Sequence, residues 1–90
     1  MSAELTDLFD QLYRDNQARV YRLALGLTGK PGDAEDITQE AFLRAFRSYH
    51  SFRGEGSFLT WIYRITLNVA SSHLKQRKKL PIYVLTQDLG

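Results

Sequence analysis

The chain contains no cysteine, and this absence excludes both a disulfide framework and a cysteine-based zinc site. It also lacks any apolar run near the roughly 18 residues that a membrane-spanning helix needs. Its first seven residues include Glu4 and Asp7 but no cation, unlike the basic start of a secretory signal peptide. We therefore expect a soluble, cytoplasmic protein without membrane insertion.

Charge is distributed unevenly along the 90 residues, a length that suits one small domain. Residues 1–40 carry eight acidic and four basic side chains, whereas residues 41–90 carry two acidic and eight basic ones. This asymmetry indicates a basic surface suited to a polyanion and a separate acidic surface. Alternatively, the cations after Leu74 are a solvated helix end that complements the helix dipole. These cations are Lys75, Arg77, Lys78 and Lys79.

Apolar side chains recur at helical spacing in three segments, which cover residues 6–27, 33–49 and 58–78. Three helices with short connections bury their apolar stripes against one another. We therefore predict an all-α fold, a compact bundle of three main helices. The domain would cover residues 1–79, and residues 80–90 would begin an interdomain linker or form a disordered tail.

Local signals place the ends of these helices. Gly29 favours a left-handed cap, and Pro31 cannot continue the first helix. Asp33 is predicted as the N-cap of the second helix and Ser57 as that of the third. Pro81 ends the helical pattern.

The third helix is predicted to have two distinct sides. Its core face holds Phe58, Ile62, Ile65 and Val69. Roughly 90° around the helix lies a stripe that is not typical of a core. This stripe holds Trp61, Arg64, Asn68, Ser72 and Lys75.

The side chains of this stripe suit a nucleic acid. Trp61 offers a flat surface for a base, Arg64 and Lys75 can neutralise phosphates, and Asn68 can hydrogen-bond a base edge. Trp61 has a second interpretation, as a half-buried residue packed against the second helix.

The loop before the third helix contains Gly54 and Gly56, whose backbone can approach a ligand closely. Phe52 either covers an edge of the core or walls a pocket, and the sequence leaves both readings open. The spacing of a phosphate-binding P-loop is absent.

The second helix has an exposed face on which a leucine lies among charged and polar side chains. Such a face is typical of protein docking, although a solvated face with one stray leucine gives the same pattern. The residues of this face are Asp36, Gln39, Glu40, Leu43 and Arg47.

No arrangement of residues indicates catalysis. Asp33, Glu35 and Asp36 share one helix turn, where capping and the helix dipole account for them without a metal. His50 and His73 are far apart in sequence, and no nucleophile–base spacing is visible. We predict that the protein is not an enzyme and binds neither a metal nor a cofactor.

Three spaced motifs together resemble region 2 of bacterial sigma factors, most closely the extracytoplasmic-function group of the sigma-70 family. They are Asp-Ala-Glu-Asp-x-x-Gln-Glu-x-Phe from Asp33, then Phe-Arg-Gly from Phe52, then Phe-x-x-Trp-Ile-x-Arg-Ile-x-x-Asn from Phe58. The resemblance covers about residues 6–79. It implies a transcription initiation factor domain that binds RNA polymerase and recognises and melts the promoter −10 element.

The resemblance also implies roles for individual residues. Asp36, Gln39 and Glu40 would contact the clamp helices of the polymerase β′ subunit, and helical geometry adds Leu43 and Arg47 to that set. The non-template strand would lie on loop 51–57 and the third helix, with a flipped base in a pocket at the loop. The DNA-binding residues expected on this basis are Phe52, Arg53, Ser57, Trp61, Arg64, Asn68, Ser72, Lys75, Arg77, Lys78 and Lys79.

Two further expectations follow from the resemblance. The helix-turn-helix domain that reads the −35 element in this group is absent before Gly90, so we expect the chain to be a fragment. An anti-sigma factor is an expected partner. The alternative function is a helical protein-interaction module, regulated by an anti-sigma factor, without sequence-specific DNA binding of its own.

Overall fold

A computed structural model describes residues 3–52, 54 and 56–89, and it describes side chains as far as Gln76. This part of the chain forms three α-helices and one short 3₁₀ turn, and it contains no strand. The predicted all-α bundle of three helices is therefore confirmed. The elements are α1 (Ala3–Thr28), α2 (Pro31–Arg47), the 3₁₀ turn (Tyr49–Ser51) and α3 (Phe58–Leu89).

A two-residue turn connects α1 to α2. Gly29 has φ +70°, and its backbone N–H donates to the carbonyl of Leu25 at 2.7 Å, so the predicted left-handed cap is confirmed. Pro31 does more than end α1, because it is the first residue of α2. The N–H that proline lacks has no helical partner at this position, and the fixed φ of proline already suits a helix.

The prediction that Asp33 is the N-cap of α2 was wrong. The N-cap is Lys30, three residues earlier, and it makes no side-chain capping bond. Asp33 instead lies in the first turn and is buried. Its Oδ1 is 3.4 Å from Nε2 of His73, so the start of α2 lies against α3 at this point, although that nitrogen has no hydrogen-bond partner among the described residues.

The core lies where all three helices meet, and α2 supplies half of it. Five of its ten apolar residues are alanines, whose small side chains let the helix backbones approach closely. Two buried threonines, Thr38 and Thr66, satisfy their hydroxyl groups by donating to the carbonyls of Ala34 and Ile62, each at 2.7 Å. The core residues are Val20, Ala24, Ala34, Ile37, Ala41, Phe42, Ala45, Ile62, Val69 and Ala70.

The core face of α3 is rotated slightly from the predicted one. Ile62 and Val69 are buried as expected, but Phe58 and Ile65 are only partly buried. Thr66 and Ala70, which were not predicted in the core, are buried instead.

Helix α3 continues beyond its predicted end at Lys78 and runs through Pro81 to Leu89. A proline removes one hydrogen bond of a helix and disfavours its interior, yet the backbone stays helical on both sides of it. A helix of 32 residues is about 48 Å long, which accounts for most of the 55 Å longest dimension. The division into a domain at residues 1–79 and a tail at residues 80–90 stays a prediction.

The other ends of α2 and α3 lie close to the predicted ones. Helix α2 stops at Arg47, two residues before the predicted Tyr49, because the chain tightens into the 3₁₀ turn. Within the described residues, no helix combines the length and apolar character needed to cross a membrane.

Removal of a core side chain at the centre of α3 should destabilise the bundle strongly. Ile62 is fully buried, so we expect Ile62→Ala to lower the free energy of unfolding by about 2–5 kcal/mol. Leu67→Ala is the matched control, because Leu67 lies on the same helix with 47% of its surface exposed. Urea titration followed by circular dichroism measures both, and equal losses would contradict the assigned core.

Candidate nucleic-acid and protein interfaces

Trp61 is held by aromatic rings on several sides. The ring of Phe52 stacks on it with centroids 5.1 Å apart and planes 30° apart. Tyr49 meets it edge-on at 6.3 Å, and Phe58 does so at 5.8 Å. Trp61 is therefore partly buried, as one of the two sequence interpretations expected, although its packing partners are these three rings.

Phe52 packs in an aromatic cluster at the start of the loop, and the two roles predicted for it stay predictions. Besides stacking on Trp61, it meets Phe58 edge-on at 6.1 Å and Tyr49 at 5.8 Å. Phe58 in turn contacts Phe42 of α2 at 6.5 Å. The loop is thus anchored through aromatic contacts to both α2 and α3.

The loop is fixed at both ends and has special backbone conformations between them. Gly54 and Gly56 have φ of +76° and +81°, a region that side-chain-bearing residues rarely adopt. Ser57 Oγ accepts a hydrogen bond from the backbone N–H of Thr60 at 3.1 Å, so the predicted N-cap of α3 is confirmed. Arg53, a predicted DNA-binding residue, lies outside the described residues.

The outer side of α3 is cationic and exposed. Arg64, Asn68, Ser72 and Lys75 are all exposed, whereas Trp61 of the same predicted stripe is not. No acidic residue occurs between Gly56 and Gln87, so the stretch of α3 that carries these cations contains no carboxylate. The predicted contacts Arg77, Lys78 and Lys79 lie outside the residues whose side chains are described.

A groove of about 410 Å³ separates this side of α3 from α2. Ser72 lies at its edge beside Asp36 and Glu40, whose negative charges disfavour a phosphate at that point. Ser72 therefore marks the border between the cationic side of α3 and the acidic face of α2. The groove is lined by Asp36, Glu40, Arg44, Val69, Ser72, His73 and Gln76.

The predicted docking face of α2 is present on one side of the helix. Asp36, Gln39, Leu43 and Arg47 are exposed, and Leu43 is exposed over half of its surface. Glu40 is partly buried as a residue, and its Oε2 accepts a hydrogen bond from Nε of Arg44 at 3.0 Å. An exposed pair at this spacing contributes about 0.3–0.5 kcal/mol, so Glu40 stays available to a partner.

An apolar hollow of about 290 Å³ adjoins this face and extends it onto α1. Leu43 lies at its edge and Tyr13 of α1 at the opposite side, 38% exposed. The sequence did not single out Tyr13. The hollow is lined by Tyr13, Gln39, Phe42, Leu43 and Phe46.

Tyr49 was not among the residues predicted from the sequence, and it contacts both Phe52 and Trp61. A local signal was available, because six aromatic residues fall between Phe42 and Trp61. Aromatic residues at this density in the sequence predict a cluster of rings beside the loop.

Across the described residues, no group of three or more histidine, cysteine or acidic side chains is placed to hold a metal ion.

Comparison with a family model and with individual known proteins identifies the same family. Residues 12–80 match the family described as Sigma-70 region 2. The ECF RNA polymerase sigma factor SigE of Mycolicibacterium smegmatis is 41% identical over 80 residues, which are 89% of this chain and 31% of that protein. The RNA polymerase sigma-H factor of Pseudomonas aeruginosa is 38% identical over 73 residues, 81% of this chain and 38% of that protein.

A further relative matches a shorter stretch. The ECF RNA polymerase sigma-E factor of Escherichia coli is 46% identical over 50 residues, 56% of this chain and 26% of that protein. The chain thus spans between about a quarter and two fifths of the length of these relatives.

The stack of Phe52 on Trp61 can be tested by fluorescence, because Trp61 is the single tryptophan of the chain. We expect Phe52→Ala to expose the indole, shift its emission to longer wavelength and increase quenching by acrylamide. Loss of the ring contact should also cost about 0.5–1.5 kcal/mol beyond the lost burial.

The matched control is His50→Ala, since His50 is exposed in the neighbouring 3₁₀ turn. It should leave the emission unchanged. An unaltered spectrum in Phe52→Ala would show that the stack is not populated in solution.

Proposed function

Since the chain belongs to the sigma-70 family, as a region 2 of the extracytoplasmic-function type, we propose that it is the part of a transcription initiation factor that captures the opened −10 element. In this proposal the outer side of α3 and loop 51–57 bind the non-template strand. The exposed face of α2 binds the clamp helices of the RNA polymerase β′ subunit. The observation that carries the proposal is the exposed side of α3 that bears Arg64, Asn68 and Lys75 without a carboxylate, apart from the face of α2 that bears Asp36 and Glu40.

Asn68 is the residue proposed to read a base. It is exposed between Arg64 and Lys75 on α3, and its amide group offers both a donor and an acceptor to a base edge. Arg64 and Lys75 would neutralise neighbouring phosphates, which position the strand without reading its sequence. Arg77, Lys78 and Lys79 are proposed to extend these phosphate contacts.

Phe52 is proposed to line the pocket for the flipped base. Because Phe52 is stacked on Trp61, the indole acts as a support beneath it. Base flipping costs a few kcal/mol, and one stacked base returns about 1–3 kcal/mol, so stacking and hydrogen bonds together can offset the cost. Strand opening is then coupled to capture of the correct base.

The docking face is proposed to combine charge with one apolar contact. Asp36 and Glu40 supply negative charge, and Leu43 is exposed at the centre of the face. A half-exposed leucine ringed by polar residues suits a protein partner. Gln39 and Arg47 would complete the contact at its edges.

A second candidate function rests on the apolar hollow beside Leu43. That hollow suits a protein partner, such as an anti-sigma factor, whether or not the chain binds DNA. In this alternative the cations of α3 attract nucleic acid only weakly and without sequence preference.

Fluorescence anisotropy with single-stranded oligonucleotides separates the two functions. The oligonucleotides are randomised over a −10-like hexamer and measured at two salt concentrations. A sequence preference that persists at the higher salt supports base capture. Binding that ignores sequence and disappears with salt would overturn it and favour the second candidate.

Asn68→Ala should weaken binding of the preferred hexamer by about 1–3 kcal/mol and remove discrimination at one base. Ser71→Ala is the matched control, since Ser71 is exposed on α3 and has no proposed role. The measurement is anisotropy against single-base variants of the hexamer. Equal weakening on every sequence would refute a base-reading role for Asn68.

Glu40→Lys should abolish binding to a β′ clamp-helix fragment and leave DNA binding intact, because it reverses a charge at the centre of the docking face and repels Arg44. Glu35→Lys makes the same charge change on a different side of α2 and should have little effect. Titration calorimetry with the fragment measures both. Unchanged affinity in Glu40→Lys would place the docking face elsewhere.

A further inference from the structure

A cationic cleft lies where α1 meets α3, on a side of the bundle that the proposed function does not use. Its volume is about 280 Å³. Two arginines of α1 are exposed at its mouth, and a leucine and a tyrosine form its partly buried wall. The lining residues are Arg19, Arg22, Leu23 and Tyr63.

The two arginines have no anionic partner among the described residues. Over those residues the ion pair between fixed charges joins Glu40 to Arg44, and the carboxylate of Asp33 lies 3.4 Å from Nε2 of His73. Asp15, four residues before Arg19, instead accepts a hydrogen bond from Nε2 of Gln11 at 2.8 Å. Two neighbouring guanidinium groups without a carboxylate repel each other, and a bound anion relieves that repulsion.

The cleft is continuous with the outer side of α3. At about 100° per residue, the order around α3 towards α1 is Asn68, Arg64, Leu67 and Tyr63. Leu67, which lies between Arg64 and Tyr63, is 47% exposed. The path from Asn68 to Tyr63 is an arc of about 13 Å on a helix roughly 10–12 Å across, a distance that a few nucleotides span.

We propose that this cleft binds the continuation of the single DNA strand whose base is captured at Asn68. Arg19 and Arg22 contact successive phosphates, and the ring of Tyr63 with Leu67 provides a surface for a base. The inference rests on the proposed function, because the strand is the one that lies on the outer side of α3. Phosphate contacts carry no sequence information, so the cleft adds affinity and salt dependence without changing base preference.

The test compares the preferred hexamer with the same hexamer extended by six thymidines on its 5′ or its 3′ side. In the unaltered chain, an extension on one side only should raise affinity by about tenfold, because an added base stacks on Tyr63 and its phosphates contact the two arginines. The side that raises affinity gives the polarity of the strand.

The double variant Arg19→Gln/Arg22→Gln should lose this gain and leave the affinity and base preference of the bare hexamer unchanged. The slope of log K against log salt for the extended strand should become shallower by about 1.4, because each single-strand phosphate contact contributes about 0.7. Tyr63→Leu should lose part of the gain at an unchanged slope, and Tyr63→Phe should keep it. Thermal unfolding followed by circular dichroism confirms that each variant is folded.

Arg14→Gln is the matched control for Arg22→Gln. It removes the same charge from α1, but Arg14 lies beside Asp7 and Asp10 at a different hollow. It should leave the gain from the extension intact. If Arg14→Gln and Arg22→Gln lose the gain in affinity equally, the effect is one of net charge alone and the proposed role of the cleft is refuted.

The outcomes separate this inference from the function on which it rests. If extension raises affinity equally in the unaltered chain and the double variant, the proposed role of the cleft is refuted. A hexamer preference that depends on Asn68 would still support base capture in that case. If no hexamer is preferred, base capture fails and the inference fails with it.

Discussion

The stack of Phe52 on Trp61 is the contact on which the loop depends. Loop 51–57 contains two glycines in left-handed backbone conformations. Its position is set at one end by the Phe52 ring, and at the other by the hydroxyl of Ser57 at the start of α3. Trp61 belongs to α3 and touches Tyr49 as well, so the start of the loop is packed against the helix that carries Asn68. A base-capturing pocket formed by loop and helix together requires this rigidity.

The same packing keeps the two proposed interfaces apart. Helix α2 contributes half of the core and presents Asp36, Glu40 and Leu43 on its outer side, while α3 presents Arg64, Asn68 and Lys75. The groove between the helices, at Ser72, is where acidic and basic surfaces meet. Opposite charges on neighbouring helices let one small domain attract two partners of opposite charge without either binding at the site of the other.

Local sequence signals predicted the helix ends well where a single residue determines the backbone. The end of α1 at Gly29 and the start of α3 at Ser57 were both predicted, because a left-handed cap and a hydroxyl N-cap are short-range effects. Asp33 was misassigned as the N-cap because Pro31 was interpreted only as the end of α1, whereas it begins α2; the burial of Asp33 near His73 is a long-range feature that no local pattern reveals. The end of α3 was misplaced for a similar reason, since proline disfavours a helix interior without forbidding it.

The candidate site was predicted less completely than the fold. Helical periodicity placed Arg64, Asn68 and Lys75 on one exposed side, but it gave Trp61 the same exposure as its neighbours. The position of Trp61 depends on Phe52 and Tyr49, which reach it from outside the helix.

The alanines of the core have a consequence for variation: any replacement there except glycine enlarges a side chain and pushes the helices apart. Substitutions that alter binding are therefore better placed at exposed positions, where a larger side chain does not strain the packing of the helices.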